Sequence, residues 1–192
     1  MKRAVFLLMA LFALAIAANA QGLGVGSAIE NFSLPDVNGN MQTLGRLKGQ
    51  NGALVIFLST QCPVVKAYKD RINQIAAEAG EKGINFVGVN SNSTESIVAI
   101  KANAAAFGYR IPVLLDKDGT LADRFGARSA PEVYFFSGEN VLLYRGAIDN
   151  DQSGTTLTQN YLIAALDASL SGMPIFKKSV MPRGCSIKRA VM

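Results

Sequence analysis

Phe57-Leu58-Ser59-Thr60-Gln61-Cys62-Pro63-Val64-Val65 is the stretch on which the reading of this chain turns. Ala53 to Ser59 is a continuous apolar run, too short for a helix and bounded by Gly52 and Thr60-Gln61, the pattern of a strand buried on both faces. Downstream, Val65, Tyr68, Ile72, Ile75, Ala76 and Ala79 recur at helical spacing until Gly80 and Gly83 end the run. Cys62 therefore sits where a strand hands over to a helix. At that point unpaired N–H groups and the positive end of the helix dipole favour thiolate over thiol. Pro63 suits the first helical turn, where its missing N–H costs nothing. Lys66, one turn on, brings positive charge into the neighbourhood. A buried structural cysteine is the bland alternative, and the strand-end position favours the reactive one.

Outward from this unit, Asn31 to Gly49 carries Pro35, Asp36, Asn38 and Gly39 between short apolar pieces and reads as a loop and hairpin turn. Ile84 to Val89 is the next buried strand, and Ser91 to Thr94 offer caps for a helix from Glu95 to Phe107. Ile111 to Leu115 is a short strand that ends in the Asp116-Lys117-Asp118-Gly119 turn, before a short helix over Leu121 to Phe125. Pro131, in Arg128-Ser129-Ala130-Pro131-Glu132-Val133-Tyr134, marks the start of a strand, and a cis peptide is compatible with that place. Glu132 to Ser137 and Val141 to Arg145, joined by Gly138-Glu139-Asn140, read as an antiparallel hairpin. A last helix is expected from Thr156 to Leu170. The order predicts one α/β domain with a central mixed β-sheet flanked by helices.

The 192 residues are 49% apolar and 17% charged, with two cysteines and no histidine. Absence of histidine excludes Ser-His-Asp and Cys-His triads, and two cysteines cannot build a four-thiolate zinc or iron–sulfur site, so no cofactor is expected. Lys2 and Arg3, the uncharged stretch Ala4 to Ala18, and Ala18-Asn19-Ala20 read as a signal peptide over residues 1–20, which implies export to a periplasm or the extracellular space. The apolar stretch is shorter than the roughly 20 residues of a membrane span, and the mature chain carries no other candidate. The domain then occupies 21–172, with 12 basic and 14 acidic residues, and the tail 173–192 carries Lys177, Lys178, Arg183, Lys188 and Arg189 with no acid. A solvated tail is the preferred reading over a nucleic-acid or lipid anchor.

Strand–Cys-Pro–helix followed, about seventy residues later, by a proline opening a strand resembles the thioredoxin-like superfamily, and within it the redoxin (AhpC/TSA-type) branch, over about Ile29 to Ser171. The landmarks are FxLPDxNG at Phe32 to Gly39, Cys62-Pro63-Val64-Val65, GxxxAPEVY from Gly126 to Tyr134, and Tyr144-Arg145-Gly146-Ala147-Ile148-Asp149. The resemblance implies a thioredoxin-like fold and thiol–disulfide exchange or peroxide reduction at Cys62. It implies that Ala130 and Pro131 present backbone to a substrate's cysteine segment. Ser59 and Thr60 are candidates to bond the thiolate or a bound oxygen, or to cap the helix. Arg128 is an anion stabiliser or a surface charge. Three positions depart from the family. Val65 stands where C-x-x-C has its second cysteine, Val55 where peroxiredoxins carry proline, and Ile56 where thioredoxins place a buried acid.

Cys185, in Pro182-Arg183-Gly184-Cys185-Ser186-Ile187-Lys188, resembles the Gly-Cys-x-Ile ending of some exported redoxin-like proteins. It is a candidate resolving thiol for Cys62, with cationic neighbours that favour its thiolate. A static Cys62–Cys185 bridge, an intermolecular bridge and a free thiol are the alternatives, and spacing does not choose among them. The leading functional reading is an exported thiol oxidoreductase acting on a protein thiol or disulfide, or on a peroxide, and served by an external thiol reductant. The alternative is a redox-inactive binding module with a structural disulfide. Copper delivery would want C-x-x-x-C and histidine, and neither is present. Oligomeric state is not legible.

Overall fold

The computed structural model describes residues 22–189, so the expected leader lies outside the described residues. Strands β1 (Ser33–Pro35) and β2 (Met41–Thr43) form a small antiparallel hairpin, followed by the one-turn helix α1 (Leu44–Leu47). Then come β3 (Gly52–Leu58), α2 (Pro63–Glu81), β4 (Ile84–Asn90), α3 (Ile97–Ala106), β5 (Val113–Leu115), α4 (Thr120–Phe125), β6 (Ser129–Ala130), β7 (Glu132–Ser137), β8 (Leu142–Gly146), α5 (Tyr161–Leu170), β9 (Ser179–Val180) and β10 (Cys185–Ser186). The main sheet has six strands in the order β5-β4-β3-β7-β8-β9. Its pairs are parallel except β3–β7 and β7–β8, so it is mixed, as expected.

Every residue of β3 is buried, which explains its unbroken apolar run: both faces are covered. Phe57 of β3, Phe125 of α4, and Tyr134 and Phe136 of β7 form an edge-to-face cluster with centroids 4.9 to 5.7 Å apart. That cluster ties the central strands to the helix that precedes β6. On α2 the buried positions are Val65, Tyr68, Ile72, Ile75 and Ala79, the face read from the sequence. A polar clamp fixes the same helix to the end of β8. The Tyr68 hydroxyl donates to Asp149 at 2.6 Å, and Arg71 forms an ion pair with the same carboxylate, which is fully buried.

Three departures from the sequence reading bear on the site, and in the first two a side chain sets where a helix begins. Helix α3 begins at Ile97 with Ser96 as its cap, its Oγ accepting the Ala99 N–H at 3.1 Å, because Glu95 is drawn inward by partners on the β3–α2 loop. Helix α5 begins at Tyr161, not Thr156. Asp151 accepts the N–H groups of Ser153 and Thr156, and Asn150 accepts those of Thr158 and Gln159, so the chain is held in turns until Asn160 caps the helix.

The third difference is the tail. Residues 179–189, expected to be solvated, are docked. β9 pairs in parallel with β8 and β10 pairs antiparallel with β6, while Ile187 is buried in the hydrophobic core. Gly146 permits the first contact: its φ is +125°, and a Cβ there would fall on the Val180 carbonyl.

Asp149→Ala strands the Arg71 guanidinium and the buried Tyr68 hydroxyl, and is expected to cost roughly 3 kcal/mol. Tyr68→Phe removes one bond and is expected to cost about 1 kcal/mol. Urea unfolding at neutral pH measures both, the midpoint falling and the slope holding.

Candidate active site

Cys62 is the N-cap of α2, with extended backbone (φ −87°, ψ 116°), Pro63 in the first turn, and no side chain capping the helix. Its residue is 2% exposed. Neither Ser59 nor Thr60 caps the helix, which corrects one expectation for them. Ser59 gives its proton to Glu95 Oε1 at 2.5 Å and accepts the Gln61 N–H at 3.3 Å, and Thr60 gives its backbone N–H to Glu95 Oε2 at 2.8 Å. The exposed Pro63 lies on the rim beside them. Lys66 is exposed one turn on, its N–H bonded to the Cys62 carbonyl.

Across from the helix start, the Ala130–Pro131 peptide is cis. The Ala130 carbonyl oxygen lies 3.1 Å from Cys62 Sγ. Cys62 is disulfide-bonded, so its sulfur has no proton to give, and this approach is a sulfur–oxygen contact. The bond partner is Cys185, with Cα atoms 5.8 Å apart, and it closes a separation of 123 residues. The structure thereby selects pairing within the chain from the alternatives that spacing left open. Cys185 stands opposite Ala130 in the β10–β6 ladder, and Ser186 opposite Ser129. Arg128 is exposed and contributes its carbonyl, which accepts the Ile187 N–H at 3.0 Å.

Val65, which stands at the position of a second local cysteine, is fully buried in the face of α2. Val55 and Ile56 are likewise core residues of β3 and bring no polar atom to the site.

Two carboxylates and an amide that the sequence reading passed over organise these parts. Glu95 is buried and accepts from Ser59, from the Thr60 N–H and from Asn90 Nδ2 at 2.7 Å. Burial pushes its carboxyl up, and the three donors outweigh that and hold it below its ordinary 4.5. Glu132, directly after Pro131, accepts the N–H groups of Arg128 (3.0 Å) and Ser129 (3.3 Å) and the Tyr134 hydroxyl (2.8 Å). Burial first, and then the Glu132 charge, push the Tyr134 phenol well above its ordinary value, so it stays a donor. Asn92 donates to the Leu58 carbonyl at 3.2 Å and accepts the Lys188 N–H at 2.9 Å, linking the end of β3 to the tail. The available signals were an acid inside an apolar strand and a polar run, Asn90 to Glu95, too long for capping alone.

This arrangement, a cysteine at the head of the helix after the central strand and facing a cis-proline loop, defines a thioredoxin-like fold. The chain belongs to the AhpC/TSA family, whose model it matches over residues 25–146. A hypothetical protein of Sinorhizobium meliloti 1021 superposes with a TM-score of 0.81 at 30% identity, covering 89% of this chain and 97% of that one. An uncharacterized conserved protein of Geobacillus kaustophilus gives a TM-score of 0.79 at 30% identity, covering 88% and 94%. Among curated proteins, the thiol:disulfide interchange protein DsbE of Escherichia coli K12 is 28% identical over 167 residues, 78% of this chain and 88% of DsbE. The thiol-disulfide oxidoreductase ResA of Bacillus thuringiensis is 25% identical over 114 residues, or 59% of this chain, and the match spans 64% of ResA, just under two thirds of its length. Among the described residues no helix is long and apolar enough to cross a membrane.

Because the folded Glu95 carboxyl titrates below the unfolded one, its contribution to stability is fully present above pH 4.5 and drains away as pH falls through the lower folded value. Glu95→Gln is therefore expected to lose about 1–3 kcal/mol at pH 7. The gap to the unsubstituted protein narrows as pH falls below 4.5 and through the lower folded value, as denaturant titrations at neutral and acid pH would read.

Proposed function

We propose that this chain is an exported thiol–disulfide oxidoreductase in which Cys62 is the nucleophile and Cys185 the resolving thiol. The observation that carries the reading is the Cys62–Cys185 bond at the N-terminus of α2, made against the backbone of the cis-proline loop. The names of the DsbE and ResA relatives agree with it. The leader at 1–20 supports export, the body 21–172 supplies the nucleophile, and the segment 173–192 supplies the resolver.

Thiol exchange gives each group a task. In the reduced protein the Cys62 thiolate, stabilised by the N–H groups of the first turn of α2, attacks a sulfur of a partner's disulfide. Ala130 and Pro131 align the incoming segment. Ser59 and Thr60, held by Glu95, set the loop that delivers Cys62, and Pro63 starts the helix that activates it. The partner's second sulfur leaves with the electron pair and takes a proton. Cys185 thiolate then attacks Cys62 Sγ, restoring the internal disulfide and releasing the partner's first thiol. An external thiol reductant reopens the pair. Cys185 is half-buried and Cys62 buried, so the reductant meets Cys185 first, and the thiolate it expels is the stabilised one on Cys62, the better leaving group. The relatives' names and the peptide ladder at the cis-proline loop favour disulfide exchange over peroxide reduction.

Titration of the full chain in glutathione buffers, read by thiol alkylation and mass spectrometry, should place the midpoint above about −300 mV, where catalytic pairs lie. A bond that survives well below that potential identifies the structural disulfide of a redox-inactive binding module. Cys62→Ser is expected to abolish reduction of a disulfide-bonded protein substrate, and Cys185→Ser to accumulate a mixed disulfide on Cys62.

A further inference from the structure

Residues 184–189 cross the molecule as a bound peptide would. Cys185 and Ser186 form an antiparallel ladder with Ala130 and Ser129, and the Ile187 N–H extends it to the Arg128 carbonyl. Lys188 then joins the β4–α3 loop, its N–H on Asn92 Oδ1 and its carbonyl accepting the Ser93 N–H at 2.9 Å. Arg189 ends the run on α4, with Nε 3.0 Å from Asp123 and a second nitrogen 2.8 Å from the Ala127 carbonyl. Three positions of this segment are specified by what they meet. Gly184 must be glycine, since a Cβ would fall on the Ala130 carbonyl. Ile187 is 8% exposed, and Arg189 meets a carboxylate. Ser186 and Lys188 point to solvent, the alternation of a strand with one face docked.

We propose that β6, with Asn92 and Asp123 at its far end, is a docking site for an extended segment of the form Gly-Cys-x-aliphatic-x-basic, and that the C-terminal tail is its tethered occupant. A partner's disulfide-bonded segment of like chemistry reaches Cys62 only when the tail has left. The proposal rests on Cys62 being the nucleophile. In the oxidised chain the covalent bond closes the site to other peptides. In the reduced chain only non-covalent contacts hold the tail: the two-residue ladder and its extension at Ile187, the Lys188 bonds to Asn92 and Ser93, the Ile187 side chain, and Arg189 on Asp123 and Ala127. Each of these hydrogen bonds replaces bonds to water and contributes only modestly net. Backbone pairing supplies general affinity, and the glycine, aliphatic and basic positions supply selectivity, the division of labour usual where a strand is added to an edge. The same segment therefore serves twice. It leaves so that Cys62 can take up the partner's sulfur, and returns so that Cys185 can expel it, and over the cycle two electrons pass to the partner's disulfide.

The test uses the full chain carrying Cys185→Ser with Cys62 reduced, and an eight-residue peptide of the sequence at 182–189 whose cysteine is activated as a thionitrobenzoate mixed disulfide. Release of thionitrobenzoate reports capture by Cys62. The matched peptide should react about tenfold faster than peptides with valine for the glycine or aspartate for the isoleucine, the factor expected from one buried aliphatic side chain. Adding Ile187→Asp to the protein should raise the matched peptide's rate by about tenfold on the same ground, because the competing tail is weakened. Arg189→Ala, which leaves the apolar contact intact, should raise it by a smaller factor. Equal rates for the three peptides, or tail variants that leave the rate unchanged, would overturn the proposal while a normal reaction with dithionitrobenzoate keeps the nucleophile reading. A Cys62 inert to that small reagent as well would overturn both.

Discussion

The peptide unit of Ala130 is the constraint around which the rest of the site is arranged. Its carbonyl lies against the sulfur of Cys62, its Cα stands opposite Cys185, and its bond to Pro131 is cis. A strand of two residues cannot hold such a position by its own ladder. Glu132 does it from the inner side, accepting the N–H groups of Arg128 and Ser129 with one carboxylate oxygen. That carboxylate stands where a neighbouring strand would supply carbonyls. It leaves the outward edge of β6, the Arg128 carbonyl included, free to receive a second segment. Tyr134 and the aromatic cluster behind it keep Glu132 in place, so the core of the sheet sets the geometry of the cis-proline loop.

The opposite wall is organised by the same physics. Glu95 could be an apolar residue only if the Ser59 hydroxyl, the Thr60 N–H and the Asn90 amide found other acceptors in a buried place. Three donors converging on one point select an acceptor-only group, and charge-assisted hydrogen bonds offset the cost of burying it. Asn92, three residues earlier, acts in both directions, donating to the end of β3 and accepting from the tail. The β4–α3 loop is thus a bracket between the backbone that delivers Cys62 and the backbone that delivers Cys185. Lys117 braces it by donating to the carbonyls of Asn92 and Glu95.

What was legible in the sequence is what local pattern encodes. The buried strands, the amphipathic face of α2, Cys62 at the strand-to-helix junction and Pro131 at a strand start all rest on signals within a few residues, and the fold follows from their order. Glu95 escaped because its partners Ser59 and Thr60 lie on a different element, and a glutamate after a polar run reads as the first turn of a helix. Asn150 and Asp151 shortened α5 in the same way, by offering the backbone acceptors that a helix would otherwise provide. The docked tail escaped for a different reason. Two-residue strands have no period to detect, and five uncompensated basic residues read as solvated, although Arg189 has Asp123 beside it. Gly184 and Ile187 were visible as residues, but their meaning lies in the edge they fit, which only the folded chain presents.

The tail's attachments fall into two groups with a gap between them. β9 holds on to β8 through the close approach at Gly146, while β10, Ile187 and Arg189 hold on to the active-site side. Among the described residues, those from 181 to 184 take part in no hydrogen bond, and Met181 is strongly exposed. The second group can therefore detach while the first remains. The five steps from Val180 to Cys185 reach no further than about 18 Å when extended, so a Cys185 released from β6 stays within a small volume around Cys62. An intramolecular thiol so confined meets its target at an effective concentration in the millimolar range, far above what a free partner cysteine would supply. In the proposed cycle, a cysteine distant in sequence thus does the work that C-x-x-C assigns to a near neighbour. Placing it on a strand rather than in the helix leaves the position of Val65 free to complete the core.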